Sequence, residues 1–451
     1  MSSQAMRRRE FLKALGFGAA ALGAARWGQA AESATGAASA AKPNILFILA
    51  DDFGLDDTSC YGGDAYKTPH IDALAQAGIR FENGYCEPLC GPTRCEFVTG
   101  RYAFRTGGLT NQSAGRPSSK DEPSVARTLK EAGYATCQAG KWRQMGETPG
   151  DWGFDEYITD PTAGGWYWQK SYTKNGQEVK LDKEVYCPDV AHEFAVDFIK
   201  RNKDKPFFLY YPSHLVHGPI LRTPDTKPDT AGAKALYADN VAYLDKQVGD
   251  LMAVLDSLNL RERTVVVFAG DNGTAGASGT VRGRALSGQK ASMKDCGAHV
   301  PYIASWKGTG PAGKVLKDLV DFTDLSATFA DLAGARRPAD VTFDGRSFAP
   351  QLRGRPGQPR EWIFVQLGAK WYVREMDWKL NNDGDLFDMK EAPFEEKLVA
   401  ADAQDAAAAA ARKRLQAVLD QLNPAGGKTD AGGGPNKTPK KGRKKAAVTT
   451  T

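Results

Sequence analysis

The sequence predicts an α/β fold: a large, mainly parallel mixed sheet flanked by helices, followed by a small antiparallel sheet and a closing helix. Three observations predict it. Short continuous apolar runs recur along the chain, as parallel strands require when both faces are covered. Segments with helical periodicity lie between them. Past residue 345 the runs shorten and crowd together, separated by turn residues. At 451 residues, 41% of them hydrophobic, the chain is long enough for one large core or for a large and a small one.

Residues 1–30 read as an export signal, with Arg8-Arg9-Glu10-Phe11-Leu12-Lys13 followed by a small-residue apolar stretch and Gly28-Gln29-Ala30 as a cleavage site. Its arginine pair resembles the twin-arginine export motif, which implies a bacterial source, the twin-arginine export machinery as a partner, and a mature protein in the periplasm or outside the cell. Elsewhere no apolar run is long enough to span a membrane. Residues 31–42 form an Ala/Ser/Thr linker. A catalytic domain is expected over 43–345 and a C-terminal subdomain over 346–423.

Asn44–Ala50 is the first buried strand and ends in Asp51-Asp52. Helices are predicted over 69–78 and 124–132, and strands over 134–138 and 206–211. The 233–258 helix carries Leu244, Val248, Leu251 and Leu255 at three- and four-residue intervals. Strand 264–269 ends in Gly270-Asp271-Asn272-Gly273. In such sheets ligands gather at the carboxyl ends of strands, where both acidic clusters fall. Strands over 361–366, 371–375, 379–381 and 386–388, with turns at Asp377-Trp378 and Asp383-Gly384, predict the antiparallel sheet. Helix Ala406–Leu422 follows, with Asp405 as its N-cap, Leu415, Val418, Leu419 and Leu422 as its packing face, and Pro424 as its stop.

The net charge of +5 belongs to the ends. Residues 1–30 hold five Lys/Arg against one acidic residue, and 424–451 hold seven against one, leaving the body at −5. A nucleic-acid partner is therefore not expected. The basic tail 424–451 reads as disordered, either solvated alone or loosely holding an anionic polymer. The seven cysteines show no Cys-x-x-Cys spacing. With Cys90 set apart by its motif, the other six are available to pair in an oxidising compartment.

Cys86-Glu87-Pro88-Leu89-Cys90-Gly91-Pro92-Thr93-Arg94, continuing to Thr99-Gly100-Arg101-Tyr102, is the most informative segment. Pro92 fixes φ and lacks a backbone donor, and Arg94 brings a permanent forked cation toward residue 90. The segment resembles the C-x-P-S/A-R and T-G-R motifs of type I sulfatases, in the alkaline-phosphatase-like superfamily. Thr93 departs from the commoner Ser or Ala. The resemblance implies that a formylglycine-generating enzyme oxidises Cys90 to formylglycine, whose hydrate is the nucleophile.

Asp51-Asp52 and Asp271-Asn272 offer the carboxylate and amide oxygens that a hard divalent cation prefers, although such residues also begin turns and cap helices. The resemblance makes Asp51, Asp52, Asp271 and Asn272 the ligands of one Ca²⁺, with residue 90 touching the ion. Gly140-Lys141-Trp142 resembles the family's G-K-W, and Gly288-Gln289-Lys290 with Asp295-Cys296-Gly297-Ala298-His299-Val300-Pro301 resembles a later block. Lys141 and Lys290 then become sulfate-binding lysines, with Lys294 a competitor for the second role. His217 is the histidine expected near the leaving group, with His214 second. Arg143 stands where the family commonly has histidine, and an arginine is a poor base. Leu386-Phe387-Asp388-Met389 resembles the family's closing L-Y-D-L.

These resemblances imply hydrolysis of a sulfate monoester of a small molecule or glycan. The alternatives are a phosphomonoester or phosphonate hydrolase on the same fold, and a non-catalytic binder of sulfated glycans.

Overall fold

The apolar run after the linker is strand β1 (Asn44–Ala50), buried along its whole length near the middle of a ten-stranded sheet. The computed structural model describes residues 42–142, 145–160, 167–276 and 278–429. The predicted export signal, Arg143 and the tail from residue 430 onward lie outside these described residues.

The other strands of the large sheet are β2 (Ile79–Tyr85), β3 (Ala135–Ala139), β4 (Glu156–Thr159), β5 (Trp168–Lys174), β6 (Gln177–Tyr186), β7 (Phe207–Pro212), β8 (Thr264–Gly270), β9 (Tyr302–Ser305) and β10 (Lys314–Asp321). Their order is β10-β2-β9-β8-β1-β7-β3-β4-β5-β6. The centre, from β8 through β1, β7 and β3 to β4, is parallel. β9 runs antiparallel between β2 and β8, and β5 and β6 form an antiparallel margin.

Alternation along β1 sends its side chains into two separate cores. Ile45, Phe47 and Leu49 pack with Phe97 and Val98 of helix Cys90–Thr99 and with Phe329 of helix Thr323–Ala333. Leu46, Ile48 and Ala50 pack on the other face with Leu244, Val248, Leu251 and Leu255 of helix Ala233–Ser257. Both faces are apolar, which is why the run reads as continuous rather than alternating.

The small sheet is antiparallel in chain order: β11 (Ile363–Leu367), β12 (Lys370–Arg374), β13 (Trp378–Asn381), β14 (Leu386–Asp388) and β15 (Lys397–Val399). Trp378 begins a strand rather than completing a turn, because its backbone pairs with Asp388. Helix Ala406–Leu422 is capped as expected, with Asp405 Oδ1 accepting from the amides of Ala407 (2.8 Å) and Ala408 (3.2 Å). Its Ala408, Ala411, Leu415 and Leu419 cover Leu380 and Leu386.

All seven cysteines are free, so the six available to pair do not do so. Six are buried, in the manner of small apolar residues. Among the described residues, no helix is long and apolar enough to cross a membrane.

Candidate active site

The β1–β8 register sets Ala50 beside Gly270, so Asp51-Asp52 and Asp271-Asn272 leave two adjacent strands at the same end of the sheet. The approach is tight: a Cβ on Gly270 would lie 2.0 Å from the Phe53 carbonyl oxygen. Asp52 has φ of 58°, a left-handed backbone uncommon outside glycine. Its amide donates to Asp271 Oδ1 (3.0 Å), and its Oδ1 accepts from Asn272 Nδ2 (2.9 Å) and Lys290 Nζ (2.5 Å).

Cys90 opens helix Cys90–Thr99 and is fully buried. Arg94 lies four residues on, hence on the same helical face. Its Nη2 is 2.8 Å from Asp271 Oδ2 and 3.8 Å from Asp51 Oδ1, while Nη1 donates to Tyr210 Oη and to the Lys141 carbonyl, both at 3.4 Å. Lys141 follows β3 after Gly140, whose φ is 128° and whose Cβ would meet the Pro212 carbonyl oxygen at 2.1 Å. Lys141 Nζ donates to Asp51 Oδ2.

After β7 the two histidines part. His214 is buried with Nε2 3.1 Å from Asp160 Oδ1, whereas His217 places Nε2 3.7 Å from Asp52 Oδ2 with its side chain 21% exposed. Tyr167 Oη donates to both of their carbonyls, at 3.1 and 2.6 Å. Lys290 reaches the cluster, and Lys294 is exposed. Thus Asp51, Asp52, Cys90, Arg94, Lys141, His217, Asp271, Asn272 and Lys290 converge, while His214 turns to Asp160.

Charge and burial oppose one another here. Burial alone would push the Asp51 carboxyl up, but Lys141, His217, Arg94 and Lys290 outweigh it and hold it well below the usual carboxylate range. Asp271 is pushed up to about 7 by burial and by Asp51, against the pull of Arg94 and Lys141. Burial raises the Cys90 thiol, with Lys141 opposing, and so disfavours a thiolate. Burial lowers His217, opposed by Asp51.

A hard divalent cation fits these residues. Asp51 Oδ1 and Asn272 Oδ1 are buried acceptors without a hydrogen-bond donor. Ligand atoms of Asp51, Cys90 and Asp271 lie within 4.8 Å of one another, as do those of Asp51, Asp52 and His217. The set is dominated by oxygen, which suits Ca²⁺ or Mg²⁺ better than a soft metal.

Sequence reasoning missed Asn111. Its Oδ1 accepts from the Gly91 amide (2.9 Å) and from Cys90 Sγ (3.6 Å). Thr110-Asn111-Gln112-Ser113 reads as ordinary turn chemistry, and no local signal ties it to residue 90.

Residues 43–335 match the family model described as Sulfatase. N-acetylgalactosamine-6-sulfatase of Canis lupus familiaris is 32% identical over 358 residues, covering 71% of this chain and 68% of that protein. Arylsulfatase A of Homo sapiens is 32% identical over 376 residues, covering 73% and 72%. The solved structure of Ps i-CgsB in complex with k-i-k-neocarrahexaose matches with a TM-score of 0.73 and 29% identity, covering 84% of this chain and 92% of that one.

Proposed function

The chain belongs to the sulfatase family and is a sulfuric ester hydrolase; from that premise we propose that it removes sulfate from a sulfated glycan, using formylglycine at position 90 and one Ca²⁺. The observation that carries this reading is the meeting of buried Cys90 with Asp51, Asp52, Asp271 and Asn272 and with the basic side chains of Arg94, Lys141, His217 and Lys290, near the carboxyl ends of β1, β3, β7 and β8. The glycan preference is supported by likeness to Ps i-CgsB, whose structure holds a neocarrahexaose.

Asp51, Asp52, Asp271 and Asn272 would hold the cation beside residue 90. Bound there, it supplies positive charge that polarises the sulfuryl oxygens. Formylglycine supplies a geminal diol whose oxygen replaces a neutral thiol as the nucleophile. Arg94 and Lys141 are oriented by Asp271 and Asp51 before substrate arrives, so their charge needs little reorganisation as negative charge shifts onto sulfate oxygens. Lys290 and His217 reach in from loops on the more open side. In this reading His217 hands a proton to the departing alcohol oxygen and Lys290 binds sulfate. Arg143, proposed only from its place after Gly140-Lys141-Trp142, would add positive charge and orient the diol. Export by the twin-arginine machinery, which carries folded proteins, accords with the buried free thiols.

The test is mass spectrometry of the peptide spanning Cys90, from cells that contain the formylglycine-generating enzyme, alongside Cys90→Ala. The expected outcome is an aldehyde at residue 90, and loss of sulfate release in the variant with an unchanged melting curve. An unmodified thiol in an active parent sinks the mechanism.

A further inference from the structure

Helix Cys90–Thr99 begins without a cap of its own. Leu89 occupies the N-cap position and has no side-chain acceptor, although the first-turn amides of a helix lack intrahelical partners. Pro92 removes one of those donors, and the Thr93 amide reaches the Leu89 carbonyl at 3.2 Å. The Gly91 amide is taken by a side chain twenty residues away, Asn111 Oδ1, at 2.9 Å.

The turn bearing Asn111 is held firmly. Ser113 Oγ accepts from the amides of Leu109 (3.0 Å) and Thr110 (2.9 Å), and the Ala114 amide donates to the Thr110 carbonyl (2.8 Å). The Gly368 amide, in the β11–β12 turn of the small sheet, donates to the Leu109 carbonyl (3.0 Å). The turn also explains residue 91. A Cβ there would lie 2.7 Å from Asn111 Oδ1 and 2.9 Å from Ala114 Cβ, so glycine is needed for this approach.

The same Oδ1 is 3.6 Å from Cys90 Sγ. That sulfur stands in for a heteroatom on the Cβ of the modified residue, and only an acceptor can take the Gly91 N–H, which fixes the amide's orientation. We propose that Asn111 is a positioning residue for the nucleophile. Its Oδ1 anchors the Gly91 amide and accepts a hydrogen bond from one hydroxyl on Cβ of residue 90, leaving the other oxygen to face sulfur. The inference rests on the formylglycine reading above.

Asn111→Ala and Asn111→Asp separate positioning from mere support of the fold. Formylglycine occupancy is read by mass spectrometry, kcat and KM on an aryl sulfate, and amide hydrogen exchange in the peptide containing Gly91. Alanine loses both contacts: kcat falls about tenfold with KM within about threefold, and Gly91 exchanges faster. Aspartate keeps both acceptor contacts but sets a negative charge beside the incoming anion: Gly91 stays protected, kcat stays within about threefold, and KM rises about tenfold. Parent-like kcat in Asn111→Ala at equal occupancy overturns the proposal. So does an equal fall in kcat in both variants. A parent lacking the aldehyde overturns the nucleophile reading itself, before any variant is compared.

Discussion

Two buried clusters in this molecule are built from similar residue types, and only one has all the oxygens of its central carboxylate satisfied. Around Asp51 and Asp271, carboxylates meet Arg94, Lys141, Lys290 and His217. Around Asp295, a carboxylate meets His299, Arg374 and Tyr85. Asp295, Cys296 and His299 even offer ligand atoms within 4.8 Å of one another, just as the first cluster does. Satisfaction separates them. Asp295 Oδ1 accepts from Tyr85 Oη (2.8 Å) and Arg374, Oδ2 accepts from His299 Nδ1 (2.7 Å), and His299 Nε2 donates to the Glu82 carbonyl (2.7 Å). The first cluster keeps Asp51 Oδ1 and Asn272 Oδ1 without a hydrogen-bond donor, and two of its basic residues, His217 and Lys290, come from partly exposed loops. A closed network joins the small sheet to the large one. A network with spare acceptors is built for something else to complete it.

Asp271→Asn and Asp295→Asn test that contrast most sharply. Asp271→Asn removes a proposed ligand and the partner of Arg94, so bound calcium measured by elemental analysis should drop and kcat/KM should fall by at least about a thousandfold. Asp295→Asn leaves Arg374 and His299 buried without their counter-charge, which costs about 3–5 kcal/mol in denaturant unfolding, while the folded fraction keeps its calcium. Calcium lost from Asp295→Asn and kept by Asp271→Asn would reverse the two assignments.

The sequence makes the first cluster legible and the second almost illegible, for a physical reason. Asp51-Asp52 and Asp271-Asn272 each follow an apolar run, and strand ends in a parallel sheet place ligands, so position along the chain already implies position in space. Cys90 and Arg94 share a helical face by spacing alone. Asp295, by contrast, meets Tyr85 and Arg374 across 210 and 79 residues of sequence, and Asn111 meets Gly91 across a turn that no periodicity announces. Strand β1 and helix Ala406–Leu422 match their predicted limits, since a doubly buried run and a capped alanine-rich helix carry strong local signals. The exposed β5–β6 hairpin and the antiparallel β9 carry weak ones, because their pairing is set by neighbours contributed from elsewhere.

The smallest effect concerns His299, and it sharpens what closure of the second cluster means. Both ring nitrogens face acceptors, the Asp295 carboxylate and the Glu82 carbonyl, so the ring is bound as an imidazolium. Burial alone would push its pKa down, but Asp295 and the two hydrogen bonds outweigh burial and raise it above the ordinary histidine value. A histidine raised on folding contributes stability that is fully present below the unfolded pKa of about 6.5 and is lost as pH climbs through the folded value. His299→Gln keeps a donor but removes the charge. The stability gap between parent and variant should therefore be widest at and below about pH 6.5 and narrow as pH rises above it, with calcium content unchanged throughout. Urea unfolding at a series of pH values measures it. A gap that does not change with pH would mean a neutral ring, and the second cluster would then resemble the first in holding an acceptor that its neighbours do not satisfy.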